Sequence, residues 1–173
     1  MRTLVISTLM ILLGIPTAIA ADSKIESAVS AGPESLSKNA TVMDWDGKVL
    51  REGTNGWTCL PNKPDNGGND PYCVDGAWLN LLNAAKEGKK PTYDKLGIGY
   101  MLAGDAPVSN ITPGGKKEDG DWVEGMKAHL MIIVPERSMY DNISTDPNNG
   151  GPWVMWSETP YAHIMVPIDS YPK

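Results

Sequence analysis

Two stretches of the chain share one phrase: KAHLMIIVP at residues 127–135 and YAHIMVP at 161–167. Each reads Ala-His-aliphatic-Met, runs on through aliphatics and stops at a proline. His129 and His163 are the only histidines in the chain. Side chains alternate along an extended strand, so His129, Met131 and Ile133 share one face, as do Tyr161, His163 and Met165. The opposite faces, Ala128-Leu130-Ile132-Val134 and Ala162-Ile164-Val166, are aliphatic. If the two strands are neighbours in one sheet, two imidazoles and two thioethers lie on one surface. That is a soft ligand set, suited to copper and above all Cu(I) rather than to magnesium or calcium. A copper-holding face of His129, Met131, His163 and Met165 is the sharpest functional expectation. Met155 in PWVMW, on the same strand face as Trp153, adds an outer thioether. Packing explains the phrase more cheaply. Methionine fills gaps in cores, and a histidine in an apolar strand commonly bonds a backbone carbonyl.

Other chemistry leaves fainter traces. The chain has no Gly-x-Ser-x-Gly elbow, no phosphate-binding Gly-x-x-x-x-Gly-Lys-Ser/Thr loop and no His-Glu-x-x-His helix. A hydrolase needs only two acids at a suitable distance, and Asp44, Asp46 and Glu52 near Trp45 and Trp57 form the first candidate set. A histidine acting as general acid or base is a further hydrolase variant, although no nucleophile stands beside either one. PDNGGNDP carries possible Ca²⁺ ligands without the EF-hand spacing, and turn formation accounts for it. With six Trp, six Tyr and no Phe, every aromatic ring carries a polar handle. Such rings suit pockets and interfaces, so a protein-interaction module with Trp-bearing loops is a third reading. Asn39, Asn110 and Asn142 open Asn-x-Ser/Thr triplets.

The elements that must position these residues are mostly short. Asp46-Gly47 lies between two runs of TVMDWDGKVLREG and predicts a hairpin. GWTC reads as a further strand. One clear helix is expected over about 75–87, capped by Asp75, striped by Trp78, Leu81, Leu82 and Ala85, and stopped by Gly88. GIGYMLAG reads as a strand with Ile98, Tyr100 and Leu102 on one face and glycines, suited to close approach, on the other. AHLMIIV, PWVMW and YAHIMVP complete the set, the last two as a hairpin. The expected fold is α+β or mostly β, one domain with five to six strands, one clear helix and long loops.

The flanks speak to location. Arg2, the apolar run Leu4–Ile15 and Ala18-Ile19-Ala20 read as a signal peptide over 1–20. Residues 21–40 read as a flexible leader with a helical turn near Ile25–Val29, and 41–173 as the domain. The apolar run is short for a bilayer and no later run spans one, so no membrane span is expected after cleavage. Cys59 and Cys73, the only cysteines, are expected as a disulfide closing a loop of about 15 residues, worth roughly 3 kcal/mol. The formal charge is −6, which argues against nucleic acid as a partner. A small ligand or metal ion remains the expected partner, in a secreted or periplasmic protein.

The combination of DWDGKVLREGTNGWTC, GIGYML, GGPWVMW and TPYAHIMVP resembles a family of secreted bacterial proteins of unknown function, over most of the chain from Thr41 onward. The resemblance implies an exported single domain and carries no activity, cofactor or site. The reading is therefore an exported, non-enzymatic binding module, with copper as its most concrete ligand and a small hydrolase or an interaction module as alternatives.

Overall fold

A computed structural model describes residues 17–168. Most of the expected signal peptide, residues 1–16, lies outside the described residues. Among those described, no helix is long and apolar enough to cross a membrane.

The fold is α+β. Helices α1 (Thr17–Val29) and α2 (Glu34–Ser37) precede four short strands, β1 (Thr41–Met43), β2 (Val49–Arg51), β3 (Thr58–Leu60) and β4 (Tyr72–Val74). Helix α3 (Gly76–Lys86) leads into β5 (Gly97–Met101). A small ribbon of β6 (Val108–Ser109) and β7 (Trp122–Val123) comes next, then β8 (His129–Ile133), β9 (Trp153–Met155) and β10 (His163–Pro167). Eight strands form one mixed sheet in the order β2-β1-β3-β4-β5-β8-β10-β9. The β1–β3 pair is parallel and every other neighbour antiparallel.

The ten described strands exceed the expected five to six. The surplus comes from runs of two or three residues, such as β4, β6 and β7, too short for an alternating pattern to register. They form because neighbours and turns impose them. Gly47, at φ +91, turns β1 into β2, while Asp44 N–H donates to the Lys48 carbonyl at 2.8 Å. The β9–β10 pair is the antiparallel hairpin expected of PWVMW and YAHIMVP.

The expected helix over 75–87 is α3. The Asp75 side chain accepts from Trp78 N–H at 3.0 Å and from Ile98 N–H at 2.8 Å, capping the helix and tying it to β5. Gly88, at φ +65, ends it. The helix lies over one face of the sheet at the glycines of β5. A Cβ on Gly97 would stand 2.7 Å from Ile133 and 2.9 Å from Ala77, and one on Gly99 2.8 Å from the Met131 methyl. The close approach expected at these glycines is therefore real.

On the opposite face the structure has two helices where a flexible leader was expected. Ala28, Ala31 and Ala40 are fully buried against Val42, Cys59 and Cys73. The Ala31 carbonyl accepts from Leu102 N–H at 3.0 Å. The segment looked unanchored because its fully buried anchors are alanines, Ala28 in α1 and Ala31 and Ala40 in the turns after α1 and α2, which carry little hydrophobic signal; Ile25, Val29 and Leu36 pack beside them, half-buried. The expected helical turn near Ile25–Val29 lies within α1. Cys59 and Cys73 face each other across β3 and β4 and form the expected disulfide, with Cα atoms 4.0 Å apart.

Candidate functional site

The strand register decides what the repeated phrase does. β8 and β10 are antiparallel neighbours, with Met165 opposite Met131 and Pro167 opposite His129. Across four strands runs a row of Gly99, Met131, Met165 and Trp153. His163 stands opposite Met155 on one side of this row, and His129 stands opposite Met101 on the other. All four expected ligands thus share one buried face. The two histidines, however, lie four positions apart along the strands, about 13 Å at roughly 3.3 Å per residue. The structure brings each imidazole to its own pair of methionines.

Above this face, between the sheet, α3 and the segment 105–115, lies a cavity of about 660 Å³. Met131, Met155, Met165 and His163 line its floor; Trp78, Leu82 and Ala85 of α3 form one wall. Trp45, Tyr72, Trp122, Trp156, Asp70 and Asp105 also line it. His129 is not part of the wall. The indole nitrogens of three wall tryptophans are bonded to the main chain: Trp45 to the Pro61 carbonyl at 2.7 Å, Trp78 to Met131 at 3.0 Å and Trp156 to Ser109 at 2.8 Å. Trp153, beside the floor methionines on the same face, donates to the side chain of Asn110 at 3.0 Å. These bonds hold the rings while leaving their apolar surface toward the cavity.

The two histidines share an anchor and differ in surroundings. Nδ1 of His129 bonds the Lys127 carbonyl at 2.7 Å, and Nδ1 of His163 bonds the Tyr161 carbonyl at 2.9 Å. A carbonyl only accepts, so each Nδ1 carries the hydrogen and each Nε2 presents a lone pair. His163 is packed edge-on between Trp78 and Trp156, with centroids 5.1 and 4.9 Å away. Burial pushes its pKa down to about 4, against the Tyr161 carbonyl, which raises it. Burial also lowers the pKa of His129, whose Nε2 has no hydrogen-bond partner. Asp105 Oδ2 lies 3.8 Å from that nitrogen, too far for a hydrogen bond. Burial pushes Asp105 up to about 7; the Ala106 N–H works against this and the nearby Asp70 charge adds to it.

The candidate acid set is divided. Asp44 and Trp45 border the cavity, but Asp44 is paired with Lys24. Asp46 accepts from Lys48 N–H within its turn, Glu52 is exposed, and Trp57 packs against Tyr100 at 5.6 Å. The loop PDNGGNDP is knit by its own bonds, Lys63 N–H to Asp70 at 3.0 Å and Asp70 N–H to Asn62 at 2.7 Å. Asn110 is buried, whereas Asn39 and Asn142 are exposed. Among the described residues no three His, Cys, Asp or Glu side chains gather as a metal cluster, so any copper site here depends on thioethers. Sequence reading missed Asp70, Asp105, Trp78, Trp122 and Trp156 as members of one site. Trp78 was visible on the helix stripe, but nothing in AGDAP marks Asp105 as buried.

No protein-family model, no curated protein and no solved structure matches the chain. The geometry of the cavity therefore carries the functional reading.

Proposed function

We propose that this protein is an exported, non-enzymatic binding module that holds a small, largely apolar molecule between α3 and the sheet. The carrying observation is the cavity itself. Its volume of about 660 Å³ lies within the roughly 300–1,000 Å³ of ligand pockets. Four of the six tryptophans line it, which favours an inward ligand over an outward contact surface. No serine, threonine or cysteine is among its wall residues, which disfavours a hydroxyl or thiol nucleophile of the Ser, Thr or Cys kind there. Export rests on the leader sequence, the resemblance to secreted bacterial proteins and the disulfide.

The test is a titration with N-phenyl-1-naphthylamine, a neutral dye that brightens in apolar surroundings. Saturable one-to-one brightening, weakened when Leu82→Trp fills the cavity, is expected. Unsaturable brightening, or brightening indifferent to that substitution, contradicts the proposal.

Copper is the second reading, and one observation favours it. His163 stands opposite Met155 and two residues from Met165, and all three line the cavity with Met131. A backbone carbonyl on Nδ1 is also the usual support for a metal-bound imidazole. An anaerobic Cu(I) competition titration tests it. One-to-one binding lost in His163→Ala, weakened in Met155→Leu and kept in His129→Ala is the expected pattern. No binding, or equal dependence on both histidines, contradicts it.

A further inference from the structure

The cavity wall holds two buried carboxylates that an apolar ligand leaves unused. Asp70 is 5% exposed, and the Asp105 side chain 10%. The loop carrying Asp70 is seated against the segment carrying Asp105: a Cβ on Gly68 would stand 2.4 Å from the Ala106 Cα. Among the described residues neither acid forms an ion pair with Lys or Arg. Each takes a main-chain hydrogen bond on Oδ1, from Lys63 N–H to Asp70 at 3.0 Å and from Ala106 N–H to Asp105 at 2.8 Å. Asp105 Oδ2 faces the bare Nε2 of His129 at 3.8 Å. That nitrogen, on a side chain 1% exposed, is the one buried side-chain polar atom without a partner among the described residues. The acid site is thus rich in acceptors, with the neutral Tyr72 hydroxyl, which feels both carboxylates, as a donor in the same wall.

We propose that the cavity binds an amphiphilic organic cation, its ammonium group on Asp105 and its apolar body among the indoles and thioethers. This rests on the cavity being the ligand site. An ammonium group placed on Asp105 supplies hydrogen-bond donors and the positive charge that no Lys or Arg ion pair provides there. The negative faces of the surrounding indoles favour the same charge. Lys63 and Lys86 border the cavity too, but both are exposed. Lys63 Nζ lies 4.0 Å over the Trp45 ring and Lys86 Nζ donates to the Trp45 carbonyl. Coulomb attraction at a given distance is several-fold stronger in a buried site than at an exposed one, so the acids set the selectivity. Burial holds Asp105 partly protonated near neutrality, so a bound cation ionises it and binding releases a proton.

Three probes with one body test the inference by calorimetry and indole fluorescence: 4-phenylbutylamine, 4-phenylbutan-1-ol and 4-phenylbutyrate. The amine is expected to bind about tenfold more tightly than the alcohol, with the carboxylate weakest. Asp105→Asn is expected to erase the preference for the amine and leave the alcohol within about twofold of its original affinity. An amine preference that survives Asp105→Asn, or a carboxylate that binds as well as the amine, overturns the inference. If the alcohol binds as tightly as the amine, the cation inference fails and the cavity stands. If none of the three gives heat or an indole signal, the cavity reading fails and the inference falls with it.

Discussion

The same four-residue phrase ends in two different places. At His163 the imidazole lies between two indoles and lines an open cavity. At His129 it lies outside the cavity wall, with one nitrogen unpartnered and a buried carboxyl near it. Both use the same local anchor, the carbonyl two residues earlier. The phrase therefore specifies a strand with a buried His/Met face and an Nδ1–H bond. What lies beyond Nε2 is set by elements far away in the chain: α3 and the turn after β9 at one end, the segment after β5 at the other.

The largest way to break the contrast is to remove the indole that seats the His163 end. Trp78→Ala deletes a buried ring, its bond to the Met131 carbonyl and one edge contact to His163. A loss of about 3–5 kcal/mol is expected from urea denaturation. A loss below about 1 kcal/mol would mean that α3 is not what fixes that end.

His163 and Asp105 should also answer pH with opposite signs. His163 titrates near 4 folded and near 6.5 unfolded, so between these values the unfolded chain binds more protons. Its contribution raises stability as pH rises from about 4 to 6.5, by about 3 kcal/mol. Burial lowers His129 in the same sense. Asp105 titrates near 7 folded against 3.8 unfolded, so the folded protein binds more protons there. Its contribution falls by a similar amount across the same window. The expected result is a nearly level profile from pH 4 to 7 in the wild type. Stability should climb with pH in Asp105→Asn and decline with pH in His163→Leu. Parallel profiles in the two variants would show that burial does not set these protonation states.

The smallest effect separates the two imidazoles at pH 7.5. His163→Leu forfeits two aromatic edge contacts and should cost about 1–3 kcal/mol. His129→Leu loses one hydrogen bond but also removes an unpartnered nitrogen, so it should cost about 1 kcal/mol or less. The reverse order in urea midpoints would exchange the roles of the two ends.

Local pattern carried part of this far. The helix over 75–87, its Asp75 cap, the β5 glycines, the disulfide and the shared face of His129, Met131, His163 and Met165 were legible because period, caps and alternation act within a few residues. The separation of the two histidines was not legible, since it depends on register between strands more than twenty residues apart. Asp105 was not legible either. It sits in a loop of small residues, and its burial comes from the Gly68 loop seated against Ala106. Before β1 only a helical turn near Ile25–Val29 was legible; the full extent of α1, and α2, were not, because the segment's fully buried anchors are alanines and its larger apolar residues are few.

The central claim is that the Met-lined cavity takes a small ligand, and the methionine methyls can report it directly. In a methyl-labelled spectrum titrated with 4-phenylbutylamine, the resonances of Met131, Met155 and Met165 should move together along one saturable isotherm. Met139, 56% exposed and not among the wall residues, should stay still. Movement at Met139 with the three floor methionines unchanged would contradict the account.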